Sequence, residues 1–310
     1  MKNPRILTEG ALMLAIFAVL TLITVYIPVI GIVSSLVLIF PVLYFASRYA
    51  LRTSLILLVG SILISFIMGS ILAIPLAIIY GTTGVVMGWF IKEKKSKISL
   101  LIASGFTLLI NLVIQYVVSI IFFDFDFIND MIKILEKSFD QSSELMKSLG
   151  QTPDPKVIDQ MNSYLDMIGV LTPSLFLMMA FINAIIIIWV NFPILRRLGV
   201  ETPKFKPFRE WQLPKSFLWY YLIILILSIV LQPEKGDYSF WALQNLSYVL
   251  QVLMIVQGFS FIYYFAYIKK WPKGIVILLT ILSLPLLPII RILGIIDLGF
   301  DLRQRLQRKS

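Results

Sequence analysis

The chain contains neither cysteine nor histidine, and charged side chains make up only 14% of its residues. The first absence removes disulfides, thiolate metal sites and cysteine nucleophiles. The second removes imidazole acid–base chemistry and the commonest metal ligand. The sequence has no Gly-x-x-x-x-Gly-Lys-[Ser/Thr] phosphate loop and no Gly-x-Ser-x-Gly elbow, which excludes those two routes to ATP and ester hydrolysis. No catalytic residue, cofactor or metal is expected, and the chain reads as a non-enzyme. Soluble domains carry charge on about a quarter of their residues. Here 59% are hydrophobic and the mean hydropathy is +0.91, the composition of a chain whose solvent is lipid.

Charge is missing in blocks. Residues 10–47 and 53–91 hold no Asp, Glu, Lys or Arg, giving runs of 38 and 39 residues. Roughly 20 helical residues cross a hydrocarbon core about 30 Å thick. Each run therefore predicts two helices, broken near Pro28–Gly31 and near Pro75. Further charge-free runs lie at 98–123, 167–195, 216–233, 238–268 and 274–290. The expected fold is all-α: a polytopic membrane helical bundle of about eight spanning helices plus one C-terminal element. In that element Pro285 and Pro288 remove helix hydrogen bonds. Residues 274–300 are thus either a hairpin of two short half-helices or a ninth span. The apolar start is read as an uncleaved first span, because its run continues without a small-x-small cleavage site.

Basic residues orient the bundle. With the N-terminus cytoplasmic, the inner segments carry 17 Lys and Arg, the outer ones only Lys133, Lys137, Lys147, Lys156 and Lys235. This asymmetry is the one that sets membrane topology. It predicts a multi-pass protein of the cell membrane with loop 124–166 extracytoplasmic. The net charge of +10 is spread over helix ends and forms no stripe, so nucleic acid is not an expected partner. The bilayer is, and so is another membrane protein.

Loop 124–166 is acidic, yet Ile128, Met131, Ile132, Leu135 and Phe139 recur at helical spacing. An amphipathic helix is expected there, stopping near Gly150, with a second short helix at 156–166 beyond Pro153 and Pro155. It caps the outer face or closes as a lid. Segment 203–215 alternates aromatics with bases, as headgroup-level segments do. The domain reading is a six-helix membrane domain at 1–195, a cytoplasmic interfacial linker at 196–215, and C-terminal membrane helices with a basic tail at 216–310.

Candidate site residues are few. Ala11 and Ala15 on the first helix, and Gly84 and Gly88 on the fourth, are small residues one turn apart, which let another helix approach closely. They serve internal packing or docking on a partner. Asn111 and Gln115 in the fifth span, with Asn183 in the sixth, are uncharged polar groups that either glue helices together or line a ligand pocket. Arg291 and Asp297 lie at membrane depth, where charge is costly, and are expected to form an intramembrane ion pair. Glu9 sits near the inner interface, close to Arg5.

Two strings, Phe208-Arg209-Glu210-Trp211-Gln212-Leu213-Pro214 and Gly294-Ile295-Ile296-Asp297-Leu298-Gly299-Phe300-Asp301-Leu302-Arg303, and the order of elements resemble the YybS-like family of predicted bacterial membrane proteins. The N-terminal half also resembles the substrate-binding subunits of energy-coupling-factor transporters. In those six-helix subunits an Ala-x-x-x-Ala face docks on a coupling subunit, and Ala11 and Ala15 match it. That resemblance implies a small molecule bound among the helices and energy supplied by separate ATPases. The long 124–166 loop and the C-terminal half depart from it. Two functions are thus expected: small-molecule binding or transport, or a non-transport scaffold for cell-envelope or division proteins.

Overall fold

A computed structural model describes residues 4–151 and 154–307, and within them every regular element is helical. The order is α1 (Pro4–Tyr26), α2 (Pro28–Leu38), α3 (Phe40–Arg48), α4 (Leu51–Gly69), α5 (Ile74–Lys92), α6 (Lys97–Phe123), α7 (Phe127–Ser148), α8 (Pro155–Arg197), α9 (Ser216–Leu231), α10 (Tyr238–Ile268), α11 (Lys273–Leu282), α12 (Leu287–Phe300) and α13 (Leu302–Gln307).

Local chemistry sets the breaks. The first run divides at extended Ile27, with Pro28 in the first turn of α2, where its missing N–H costs nothing. The second divides at Ser70, whose φ of 60° ends α4, and Pro75 opens α5. Asp124 caps α6 in the left-handed conformation, as Asp301 caps α12, a role Asp tolerates better than most residues. Ser96 accepts from Ser99 N at 3.1 Å and starts α6.

Among the described residues seven helices are long and apolar enough to span a membrane, α2 and α3 together (Pro28–Arg48) counting as one. The protein is a multi-pass membrane protein of helical-bundle type. Three elements bear on the expectation in detail. Helix α9 has 16 residues, about 24 Å of rise, and falls short of a full span. The C-terminal element is a broken pair, α11 and α12, bent by 53° across Ser283–Leu286. Pro285 and Pro288 account for the break. The expected helix at 156–166 is no separate element but the first turns of α8, which runs unbroken for 43 residues; Pro153 lies outside the described residues. Nothing between Lys156 and Asp166 stops a helix, since no Gly or Pro falls there.

Chain contacts divide the molecule into two compact units. One comprises residues up to Phe127 with Phe176–Lys204, the other Ile128–Leu175 with the chain from Phe205 onward. This differs from a boundary at 195: residues 128–175 group with the C-terminal elements.

In the first unit α5 lies along α3. A Cβ on Gly84 would come within 3.1 Å of Leu43 N, and one on Gly88 within 2.8 Å of Leu43 O. Leu38, Ile39, Val42, Leu43 and Met87 are fully buried around this contact. Buried Asn191 of α8 donates to Leu36 O at 2.8 Å. In the second unit α10 is central. A Cβ on Gly258 would fall on the Ile290 carbonyl and one on Gly294 on the Met254 carbonyl, so α10 and α12 touch backbone to backbone. Tyr221 and Ile224 of α9 complete the core with Leu250, Met254 and Leu298.

Candidate functional site

The first unit spends its candidate residues in different ways. Asn111 Nδ2 donates to Thr82 Oγ1 at 3.0 Å and to Thr107 O at 2.7 Å, and Gln115 Nε2 donates to Pro75 O at 2.9 Å. Both amides therefore tie α6 to α5. Asn183 is half-buried on α8, and no bond joins it to the other two. Gly84 and Gly88 lie against the protein's own residues 39–46, so their role is internal packing and they are closed to a partner. Ala11 and Ala15 are exposed on α1, while Gly10, Met13, Phe17 and Thr21 form its buried side.

Glu9, two residues before Ala11 on α1, collects three donors. Arg5 Nε approaches at 3.0 Å, Arg48 at 3.2 Å and the Tyr49 hydroxyl at 2.7 Å. Arg48 also donates to the Tyr44 hydroxyl. A carboxylate bonded to both α1 and the end of α3 fixes the entry of the first helix. Asp124 caps α6, and Asp126, two residues on, accepts from Tyr116 at 2.9 Å.

The second unit holds a buried polar node that the sequence only half disclosed. Asp297 is paired, but with Arg303 rather than Arg291: Arg303 Nε lies 3.0 Å from Asp297 Oδ2, and both side chains are buried. Arg291 instead donates to Gln251 Oε1 at 2.7 Å. On α12 the spacing of six residues puts Arg291 and Asp297 on different sides, while the left-handed turn at Asp301 swings Arg303 back. Gln257 Nε2 donates to the same Asp297 oxygen at 2.5 Å, and Gln257 Oε1 accepts from Leu213 N at 2.9 Å. Ser260 Oγ has Phe208 O at 2.8 Å and Trp211 O at 2.6 Å as acceptors for its one proton, and accepts from Arg303 at 3.1 Å. Arg303 also reaches Arg209 O at 3.0 Å. One ion pair thus pins segment 208–213 to α10 and α12. Asp297 Oδ1 and the Tyr264 hydroxyl are buried without a hydrogen-bond partner, and Arg303 lies 5.2 Å from the Tyr264 ring centroid.

Sequence reading passed over Gln257, Ser260 and Arg303. The available signal was two polar residues three apart near the end of an apolar span, which asks for partners at depth. It also passed over Asn245. Its amide accepts from Ser174 N at 3.0 Å and donates to Val170 O at 2.8 Å, the two ends of one helical rung beside Pro173. A side-chain amide set into the ladder is how a membrane helix tolerates such a proline.

Beside the polar node a cleft of about 680 Å³ opens between α10, α11, α12 and α13. Phe261, Phe265, Trp271, Leu279 and Leu293 line it, and Arg305 is its one charged wall. No group of His, Cys, Asp or Glu that could hold a metal occurs among the described residues.

The strings at 208–214 and 294–303 are thus the parts that build the node, and the likeness they carry extends over almost the whole chain. A family model described as predicted membrane protein (DUF2232) matches residues 15–298. The chain belongs to the DUF2232 family. It is 30% identical over 311 residues to the protein titled Uncharacterized protein YybS of Bacillus subtilis (strain 168), covering 99% of this chain and 100% of that one. No solved structure matches. The DUF2232 match therefore spans both compact units and includes the node's Gln257, Ser260 and Asp297.

Proposed function

We propose that this DUF2232 protein is a non-enzymatic docking subunit of a membrane complex, joined to a partner membrane protein through the Ala11–Ala15 face of α1. The observation that carries this is the outward placement of those two residues on a helix whose other side is packed. Two methyl-sized side chains one turn apart leave a shallow strip where a second helix can approach closely. The Glu9 node holds α1 rigid beside that strip.

Because Asn111 and Gln115 are committed to α5, the reading favours a scaffold for cell-envelope or division proteins, with the basic 203–215 segment at the cytoplasmic surface. Transport of the energy-coupling-factor type is the second reading. The Ala-x-x-x-Ala face supports it. The test is purification from the native membrane in mild detergent, comparing the natural chain with an Ala11→Leu, Ala15→Leu double variant. The variant is expected to fold and to lose the partner. A coupling subunit with ATPases among the lost proteins selects transport, and envelope or division proteins select the scaffold. A folded double variant that retains every partner overturns the docking reading.

A further inference from the structure

We infer that the cleft between α10 and α13 is a binding site for one anionic glycerophospholipid, its acyl chain among the aromatic and leucine walls and its phosphate on Arg305. Three observations lead there. The first is the lining: Phe261, Phe265, Trp271, Leu279 and Leu293 present hydrocarbon and ring faces, suited to a chain and unsuited to a polar metabolite. The second is charge. Arg305 is exposed on the wall, its guanidinium 6.0 Å from the Phe300 ring centroid, and it forms no salt bridge among the described residues. Its near neighbour Arg303 is neutralised by Asp297. Guanidinium presents a planar fork of donors that matches phosphate.

The third is the setting. Lys269, Lys270 and Lys273 cluster where α10 passes into α11, and Lys269 Nζ lies 6.0 Å from the Phe265 ring centroid. Trp271 stands among these lysines and also lines the cleft. Tryptophan flanked by bases is the chemistry of the headgroup layer facing acidic lipid. The cleft therefore opens where a lipid carries its phosphate and runs along hydrocarbon where it carries its chains. The site is independent of the α1 docking face.

The experiment is native mass spectrometry of the full chain in detergent, titrated separately with phosphatidylglycerol and phosphatidylcholine. One phosphatidylglycerol should bind about fivefold tighter than phosphatidylcholine, the size of one basic contact to an acidic lipid. Arg305→Gln should erase that preference and Arg305→Lys should keep most of it. Leu293→Trp, which fills the chain cavity, should weaken both lipids. Equal binding of the two lipids by the natural chain overturns the inference, as does an Arg305→Gln chain that keeps the preference. So does displacement of the lipid by glycerol phosphate at equal concentration, which would make the site one for a soluble anion. Occupation of the cleft by a second copy, seen as a dimer that excludes lipid, overturns it as well.

Discussion

Single residues decide the second unit more than bulk hydrophobicity does. Lipid is as apolar as leucine, so polar pairs and close backbone contacts must supply specificity where burial of apolar surface does not. The Asp297–Arg303 pair is the strongest of these. Removing one member of a buried pair leaves the other charged and unpaired, at a cost of about 3–5 kcal/mol. Arg303→Met should therefore lower the thermal midpoint in detergent sharply, and the double variant Asp297→Leu with Arg303→Met should recover more than half of the loss. Equal damage in single and double variants would mean that the pair contributes through its hydrogen bonds to 208–213 and not through charge. Asp297 was visible in the sequence as an ionisable group at membrane depth, but its partner was not. Arg303 reads as one of several tail bases until the left-handed turn at Asp301 brings it to the node.

At the scale of elements, glycine placement separates contacts that look alike in sequence. The small-residue stripes on α1 and α5 carry the same pattern, yet α5 is packed on α3 and the α1 pair faces outward. Pattern alone shows that a helix can be approached, not which neighbour approaches it. The helix pair α10–α12 is tighter still, since carbonyl oxygens occupy the space where Cβ atoms of Gly258 and Gly294 would be. Gly258→Val and Gly294→Val should each lower the thermal midpoint in detergent, with a loss of about 1–3 kcal/mol or more from overpacking. Ala11→Leu should leave the midpoint nearly unchanged. The helix boundaries were largely legible, because charge-free runs, Pro28 and Pro75 are local signals. How α8 accommodates Pro173 was not legible, because the remedy is Asn245, 71 residues away from Ser174. Gln257, which clasps Leu213 and Asp297 at once, was hidden for the same reason: its partners come from distant segments.

For the whole molecule, the absence of cysteine becomes an experimental advantage. Every single-cysteine variant starts from a background without thiols. Ser138→Cys on α7 should react with a membrane-impermeant maleimide from the outer side of intact cells, and Ser96→Cys only after lysis. The reverse pattern would invert the orientation drawn from the Lys and Arg asymmetry. The node also has a consequence in time. Arg209 and Arg303 are separated by 94 positions, and chains are made at about 5–20 residues per second. The carbonyl of Arg209 therefore waits roughly 5–20 s for the guanidinium that will cap it. Until then the aromatic and basic stretch around Trp211 lacks the clasp that Arg303 gives it. The clasp on segment 208–213 can close only once residue 303 has been made.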